Sequence, residues 1–327
     1  LDANNRRMVS QGLLRMRKGQ MPAGLAALFK VASRDATQAS SQDMGFALGP
    51  RINAAGRLSD MTLGIECLRT DDTELAWRLA QQLDTINRER RSMEGDMREQ
   101  ALLLAESLMD SEEIAPAALC VFDEDFHEGV VGIIAGRLKD LHYRPCFVFA
   151  SSQSQGQAVL KGSGRSIAGF HLRDALDAIA KRHPDLLLRF GGHAMAAGCT
   201  IEEEHLELFE ACFIEVAAQL LSPATLQRKL ETDGPLEAQY RRVEFVDVMH
   251  KEVWGQGFAP QVFSDEVDVV SQRLVGEKHL ALKLKHQGQA VDGIWFGRIE
   301  PLPARVKLAY RLDVDEWQGQ KRVRFMV

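Results

Sequence analysis

Three periods of apolar spacing succeed one another along the chain. Residues 3 to 33 carry Val9, Leu13, Leu14 and Met16, then Leu25, Leu28 and Phe29, interrupted by Gly19 to Gly24 with Pro22, which predicts two short helices. A Gly/Pro-punctuated stretch from Ala47 to Arg57 reads as a loop. From Thr73 onward Leu79, Leu83, Ile86, Met93, Met97, Leu104 and Leu108 recur at steps of three and four, predicting one long amphipathic helix capped by Thr73 and finished before Pro116. About 35 residues of helix reach about 50 Å, enough to connect two lobes.

Beyond Ala117 the pattern alternates between strand and helix. It predicts strands at Ala118 to Phe122, Cys146 to Ala150, Gln157 to Lys161 and near Gly198 to Ile201. Helices are predicted at Gly129 to about Leu141, Leu172 to Arg182 and His205 to Leu221, with a Gly/Ser turn after Lys161. The α/β segment runs over 117–222, and a linking stretch with Pro235, Gly255, Gly257 and Pro260 covers 223–262. The remainder, 263–327, has the period of two: Leu280, Leu282 and Leu284 oppose His279, Lys283 and Lys285, and Val306, Leu308, Tyr310 and Leu312 oppose Arg305, Lys307 and Arg311. Lys321 to Val327 repeats it. About five strands with short turns and a basic outer face predict a small barrel of the OB type, a platform for single-stranded nucleic acid, with Trp295 and Phe296 as stacking candidates of which one must face the core. The competing reading is an edge decorated with solubilising Lys and Arg.

Charge adds a modest bias. The whole chain is −6, but residues 263–327 hold 11 Lys/Arg against 9 Asp/Glu, leaving −8 for residues 1–262. A uniformly basic nucleic-acid binder is excluded, so any binding must come from placement. With 45% hydrophobic and 26% charged residues the chain is an ordinary globular one, and no apolar run is long enough to span a bilayer, so no membrane partner is expected. The absence of a signal segment and five cysteines with no Cys-x-x-Cys pair point to a reducing, cytoplasmic setting. The chain opens on Leu1 within a polar stretch, Leu1 to Arg7, which reads as the interior of a longer polypeptide.

Candidate chemistry lies in three glycine-rich segments. Gly49-Pro50-Arg51-Ile52-Asn53-Ala54-Ala55-Gly56-Arg57 sets two guanidiniums and an amide among small residues, suited to anchoring a phosphate. Lys161-Gly162-Ser163-Gly164-Arg165-Ser166 offers hydroxyls, backbone N–H groups and a bidentate guanidinium. Phe190-Gly191-Gly192-His193 places a histidine after a glycine pair that can lie flat against a ligand. Each alone is also compatible with a plain turn. Asp123, Glu124, Asp125, Asp313 and Asp315 read as solvated strand-end acids, and no metal ligand is assigned.

In this order the motifs resemble those of the bacterial RecJ exonucleases, single-strand-specific members of the DHH phosphoesterase family. The resemblance rests on GPRINAAGR, the Asn-x-x-Arg-Arg-x-x-Glu of Asn87 to Glu94, HEGVVGIIAGRL at His127 to Leu138, KGSGRS and FGGHAMAAG, and it extends over essentially the whole chain. It implies an α/β plus all-β architecture: the tail of a DHH lobe (1–72), a long connecting helix (73–116), a DHH-associated α/β domain (117–222), a linker (223–262) and an OB-fold (263–327). It implies an Mn²⁺- or Mg²⁺-dependent 5′→3′ exonuclease acting on single-stranded DNA in recombination and repair, and the single-strand DNA-binding protein as a partner. The Asp-His-His motif is absent, so the metals are expected in an amino-terminal module outside this sequence, and this fragment alone is expected to be inactive. By the same resemblance Ser163, Arg165 and Arg51 or Arg57, with Asn53, Ser166, Gly191 and Gly192, would bind the 5′ end of the substrate. His193 would act at the scissile phosphate, and His127 would support the cleft or cap the helix that follows it. Lys283, Lys285, Arg305, Lys307 and Arg311 would meet the strand on the barrel. The alternatives are a non-catalytic single-strand-binding module and a phosphoesterase for short oligonucleotides or cyclic dinucleotides.

Overall fold

The computed structural model describes residues 2–110, 115–154, 156–255, 257–317 and 319–327. Two compact units are present: residues 1–21, 33–47 and 230–327 make the first, and residues 22–32 and 48–229 the second.

The second unit begins with α2 (Ala23–Val31), α4 (Gly49–Leu58) and α5 (Thr62–Arg69), all packed on the long helix α6 (Thr73–Asp110). Ala76, Leu79, Ala80, Leu83, Asn87 and Arg90 form the buried stripe of α6. The cap is Asp72 rather than Thr73: its Oδ1 accepts from Glu74 N–H at 2.8 Å and Leu75 N–H at 3.2 Å, and Thr73 is the first helical residue. The end expected before Pro116 falls partly on residues 111–114, outside the described residues. The GPRINAAGR stretch, expected as a loop, is the helix α4. Pro50 sits in its first turn, where a missing N–H costs nothing, and Ala54 and Ala55 are fully buried.

The sheet of this unit has the order β1-β2-β3-β5-β4, with β1 (Leu119–Phe122) and β2 (Cys146–Ser154) parallel and the remaining pairs antiparallel. On one face Phe147 and Phe149 of β2 pack against Phe209 and Phe213 of α9 (Leu206–Leu220), beside α8 (Leu172–Arg182). On the other, Cys146, Val148 and Ala150 meet Ile134 and Leu138 of α7 (Val131–His142) and Met97, Ala101 and Ala105 of α6.

The Gly/Ser turn expected after Lys161 is instead the continuation of β3 (Gln157–Arg165). A Cβ on Gly162 would lie 2.4 Å from the Phe149 ring and one on Gly164 2.6 Å from Phe147, so these glycines make room for aromatic rings. Alternation then sends Ser163 and Arg165 to the face covered by α7. The Phe190-Gly191-Gly192 segment belongs to β4 (Arg189–Gly192), which forms a hairpin with β5 (Ala196–Glu202).

The first unit contains α1 (Ala3–Arg17), the single turn α3 (Ser41–Asp43), α10 (Val243–Lys251) inside the stretch read as a linker, and a closed barrel. The barrel strands β6 (Phe263–Val275), β7 (His279–His286), β8 (Gln289–Phe296), β9 (Arg305–Trp317) and β10 (Gln320–Met326) follow the order β10-β8-β7-β6-β9, with only β10 and β8 parallel. Leu280, Leu282, Leu284, Leu308, Tyr310, Leu312 and Phe325 fill it. A buried polar knot ties three strands: Asp265 Oδ2 accepts from Tyr310 Oη at 2.7 Å and Leu236 N–H at 3.0 Å, and His286 Nε2 lies 3.2 Å from Asp265 Oδ1. An Arg241 N–H, which can only donate, meets His286 Nδ1 at 2.9 Å and fixes the tautomer with its proton on Nε2. Burial raises the Asp265 carboxyl, but the hydrogen bonds from Leu236, Tyr310 and His286 outweigh it and hold it below the usual carboxylate range.

Candidate nucleic-acid interface

Arg57, in the last turn of α4, lies against the turn that opens α7. Its Nη1 donates to Gly129 O at 3.0 Å, and a Cβ on Gly129 would fall 2.3 Å from Arg57 O. His127 shapes this turn: its Nδ1 accepts from Gly129 N–H at 3.0 Å, and its carbonyl accepts from Val130 and Val131 N–H. It braces the turn ahead of the helix and is not its cap, which is Val130. At the second residue of α7, a Cβ on Gly132 would meet Ser163 Oγ at 2.8 Å and Arg165 Nη2 at 2.9 Å. The glycines of HEGVVG are therefore close-approach positions, a role the sequence signalled only by their spacing.

The electrostatics of this corner are one-sided. Arg165 Nη1 donates to Ser163 Oγ at 3.2 Å and Gly164 O at 2.7 Å, and among the described residues neither Arg57 nor Arg165 makes an ion pair. Burial, then the charge of Arg57, lowers the Arg165 pKa. No acid occupies the first turn of α7, and Val130 caps it without a side-chain hydrogen bond. Two neighbouring guanidiniums, a hydroxyl and a positive helix end converge, and among the described residues no carboxylate pairs with either guanidinium; Glu128, beside Gly129, is taken by Lys161 at 2.7 Å. Such an arrangement favours an anion.

The other expected residues divide. Asn53 is exposed one turn before Arg57 on the same helical face. Arg51 instead donates to Asp84 Oδ1 at 2.9 Å and fastens α4 to α6. Ser166 is buried with its hydroxyl donated to Phe170 O at 2.7 Å, so it faces the protein. Gly191 and Gly198 lie beside Ser163 in one row across β4, β5 and β3, and Ala196 lies beside Arg165. His193, whose N–H donates to Ala196 O at 2.8 Å, is exposed at the tip of that hairpin. Gly192 is conformationally required: φ is +142°, and a Cβ would lie 2.4 Å from Ala197 Cα. Behind the site Glu94 receives Arg90 of α6 at 2.6 Å and Arg137 of α7 at 3.2 Å, joining the two helices.

On the barrel the five expected cations do not form one surface. Lys283 and Lys285 are on β7, and Lys283 pairs with Asp292 at 2.6 Å. Arg305, Lys307 and Arg311 are on β9, where Arg305 pairs with Glu266 at 2.6 Å and Glu266 lies opposite Lys307. Phe296 is half-exposed, whereas Trp295 packs toward the core beneath Arg298, whose guanidinium is 4.7 Å from its ring. Among the described residues the grouping with three potential metal-ligand atoms is Glu202, Glu204 and His205, which shares no residue with the Arg57–Arg165 corner. None of the described helices is long and apolar enough to cross a membrane.

Comparison with known proteins agrees with this layout. The DHHA1 domain model matches residues 115–219 and the RecJ OB domain model residues 232–327. The single-stranded-DNA-specific exonuclease RecJ of Salmonella typhimurium is 41% identical over the whole chain, which spans 58% of that relative, and the RecJ of Thermus thermophilus is 31% identical over 96% of the chain and 43% of the relative. The crystal structure of the Thermus thermophilus RecJ in complex with Mn²⁺ superposes with a TM-score of 0.81 at 29% identity, covering 98% of this chain and 46% of that one. The chain thus spans between 43% and 58% of the length of these relatives. Similarity to RecJ proteins along the whole chain, together with the two domain matches in their order, shows that the chain carries the DHHA1 and RecJ OB domains.

Proposed function

We propose that this chain supplies the substrate-binding portion of a 5′→3′ single-strand-specific DNA exonuclease of recombination and repair, and that Arg57, Ser163 and Arg165 at the start of α7 hold the 5′-terminal phosphate. The observation that carries the reading is the pair of arginines that, among the described residues, have no carboxylate partner, beside an open helix terminus. A terminal phosphomonoester carries about −1.5 to −2 at neutral pH. An internal phosphodiester carries a single negative charge, so a site with two guanidiniums selects a strand end over a strand middle. Ser163 donates to a phosphate oxygen, and Arg165 offers the bidentate fork. Gly191 and Gly198 add no side chain to the row beside Ser163, which leaves the backbone accessible to the following nucleotides. His193, exposed at the hairpin tip, would donate an imidazole N–H to the phosphate next in line.

Mn²⁺ and Mg²⁺ are bound by the RecJ of Thermus thermophilus. The described residues of this chain do not fit a two-metal centre, because the grouping at Glu202, Glu204 and His205 lies apart from the phosphate corner. No hydrolytic step is therefore assigned to these 327 residues. A single-strand DNA-binding protein is the partner proposed from the family resemblance.

The test is to compare this chain with a protein of the relatives' full length. The longer protein releases mononucleotides from 5′-phosphorylated single strands in a metal-dependent manner, while the 327-residue chain binds the same strands without cutting. Cleavage by the short chain alone, or turnover confined to dinucleotides, contradicts the reading.

A further inference from the structure

The sheet of the second unit is open, and β1 is one of its two edges: its four residues pair with β2 alone. Leu119 N–H donates to Pro145 O, just before β2, so alternation turns the N–H and C=O groups of Cys120 and Phe122 to the outer edge. Among the described residues no backbone group of another element bonds to them there. Natural sheets usually cover, shorten or charge such an edge. Here it floors a groove of about 270 Å³ between two helices, with Leu104, Ser107 and Leu108 of α6 on one wall and Leu206 and Glu210 of α9 on the other. That volume is below the ~300–1,000 Å³ of a usual small-molecule site, and it fits one or two side chains of a segment laid along β1.

Charge selects the occupant. Glu210 is half-buried, and among the described residues neither a cation nor a hydrogen-bond donor reaches its carboxylate; burial, then the charge of Glu207, raises its pKa. The flanking surface has the same sign. From residue 99 to its end α6 carries Glu99, Glu106 and Asp110 without a Lys or Arg, and α9 carries Glu207, Glu210 and Glu215, again without one. Such walls repel a phosphate strand, and a second copy paired edge to edge would set Glu210 against Glu210. The two faces of an added strand also differ. Side chains on the side of Leu119 and Val121 meet Leu104 and Leu108, whereas those on the side of Cys120 and Phe122 meet Leu206 and Glu210. A Lys or Arg on the second face lays its apolar stem on Leu206 and its charge at Glu210.

Independently of the single-strand reading, we infer that the β1 edge takes up an extended segment of a partner protein in which apolar residues alternate with Lys or Arg, its backbone hydrogen-bonded to Cys120 and Phe122 and a cation at Glu210. The probe is a short, labelled, end-blocked peptide alternating Val and Lys, read by fluorescence anisotropy with the 327-residue chain. The peptide binds, and amide exchange at Cys120 and Phe122 slows in the complex as their edge becomes paired. Glu210→Gln weakens binding by about tenfold, because a hydrogen bond to a charged group is lost. Ser107→Arg, which puts bulk and like charge into the groove from an exposed helical position, abolishes it. Glu277→Gln, an exposed acid of the other unit, changes nothing. N-methylation of every second residue of the peptide removes the N–H groups facing β1 in one of the two possible patterns, so one pattern fails and the other binds. Circular dichroism checks that the variants remain folded.

A peptide that does not bind, or that binds Glu210→Gln and Ser107→Arg within about twofold of the unsubstituted chain, overturns the inference. So do equal effects of the two N-methylation patterns, which would mean that no strand is added, and equal binding of an oligoglutamate peptide. A dimer in sedimentation that Ser107→Arg dissolves also overturns it, because the edge would then belong to a second copy.

Discussion

Replacing Gly132 by Ala separates the phosphate corner from the fold that carries it. The new methyl group would lie 2.8 Å from Ser163 Oγ and 2.9 Å from Arg165 Nη2, the two groups assigned to the terminal phosphate. Both are mobile side-chain ends, so they swing aside and the helix is spared. Gly132 is the second residue of α7, where Ala is tolerated at least as well as Gly, so thermal stability holds. The displaced guanidinium and hydroxyl lose their aim at the phosphate. A hydrogen bond to a charged group is worth about 1.5–3 kcal/mol, so the preference for a 5′-phosphate over a 5′-hydroxyl drops by about 10- to 150-fold. The assay is fluorescence anisotropy with two otherwise identical strands, beside a thermal melt of the variant. A preference kept within about twofold refutes the placement of the phosphate against Gly132. Loss of preference accompanied by a collapsed melting temperature refutes the claim that this glycine serves binding and not folding.

Other expectations follow from the same structure. Gly192→Ala destabilises the DHHA1 domain by about 2 kcal/mol or more in urea melts, because φ of +142° and a Cβ 2.4 Å from Ala197 Cα leave no room, whereas Gly191→Ala, with nothing within 4 Å, costs under about 0.5 kcal/mol. Gly162→Ala costs about 1–3 kcal/mol through overlap with the Phe149 ring, read by the same melts. Asp265→Asn breaks the buried knot with His286 and Tyr310 and destabilises the barrel by about 1.5–3 kcal/mol. Because the folded pKa of Asp265 is depressed, its stabilisation is complete above the ordinary Asp value of about 3.9 and fades as pH falls through the lower folded value. Melting temperature against pH below about 4 should show that loss in the wild type and a flatter profile in the variant.

Amphipathic elements were legible because a single face decides them. α8 carries its apolar residues at helical spacing and begins and ends at Leu172 and Arg182 as the pattern predicts, and Leu280, Leu282 and Leu284 mark the inner face of β7. The glycine-rich stretches were legible as chemistry but not as structure. Gly162 and Gly164 read as a turn because nothing local reveals the phenyl rings of β2 that occupy their missing side chains. The 49–58 segment read as a loop because Gly49, Pro50 and Gly56 outweigh Ala54 and Ala55 until the close approach to α6 is known.

The candidate site shows the same division. Ser163 and Arg165 were visible as polar groups of a Gly/Ser turn after a strand, and Arg57 as one of two arginines in the GPRINAAGR stretch. Their meeting at Gly129 and Gly132 depends on how α4, α7 and β3 pack, which no short window of sequence encodes. Arg51 and Arg57 looked equivalent until Asp84, 33 residues beyond Arg51, took the first of them. On the barrel, alternation identifies outward cations but not the strand that neutralises them. Glu266 beside Lys307 and Asp292 beside Lys283 are facts of register.

The most direct test of the central claim is the affinity of the 327-residue chain for one single-stranded sequence carrying either a 5′-phosphate or a 5′-hydroxyl, measured with and without Arg165→Ala. The phosphorylated end is expected to bind at least about tenfold more tightly, a difference that the substitution abolishes. Equal affinity for the two ends in the unsubstituted chain contradicts it.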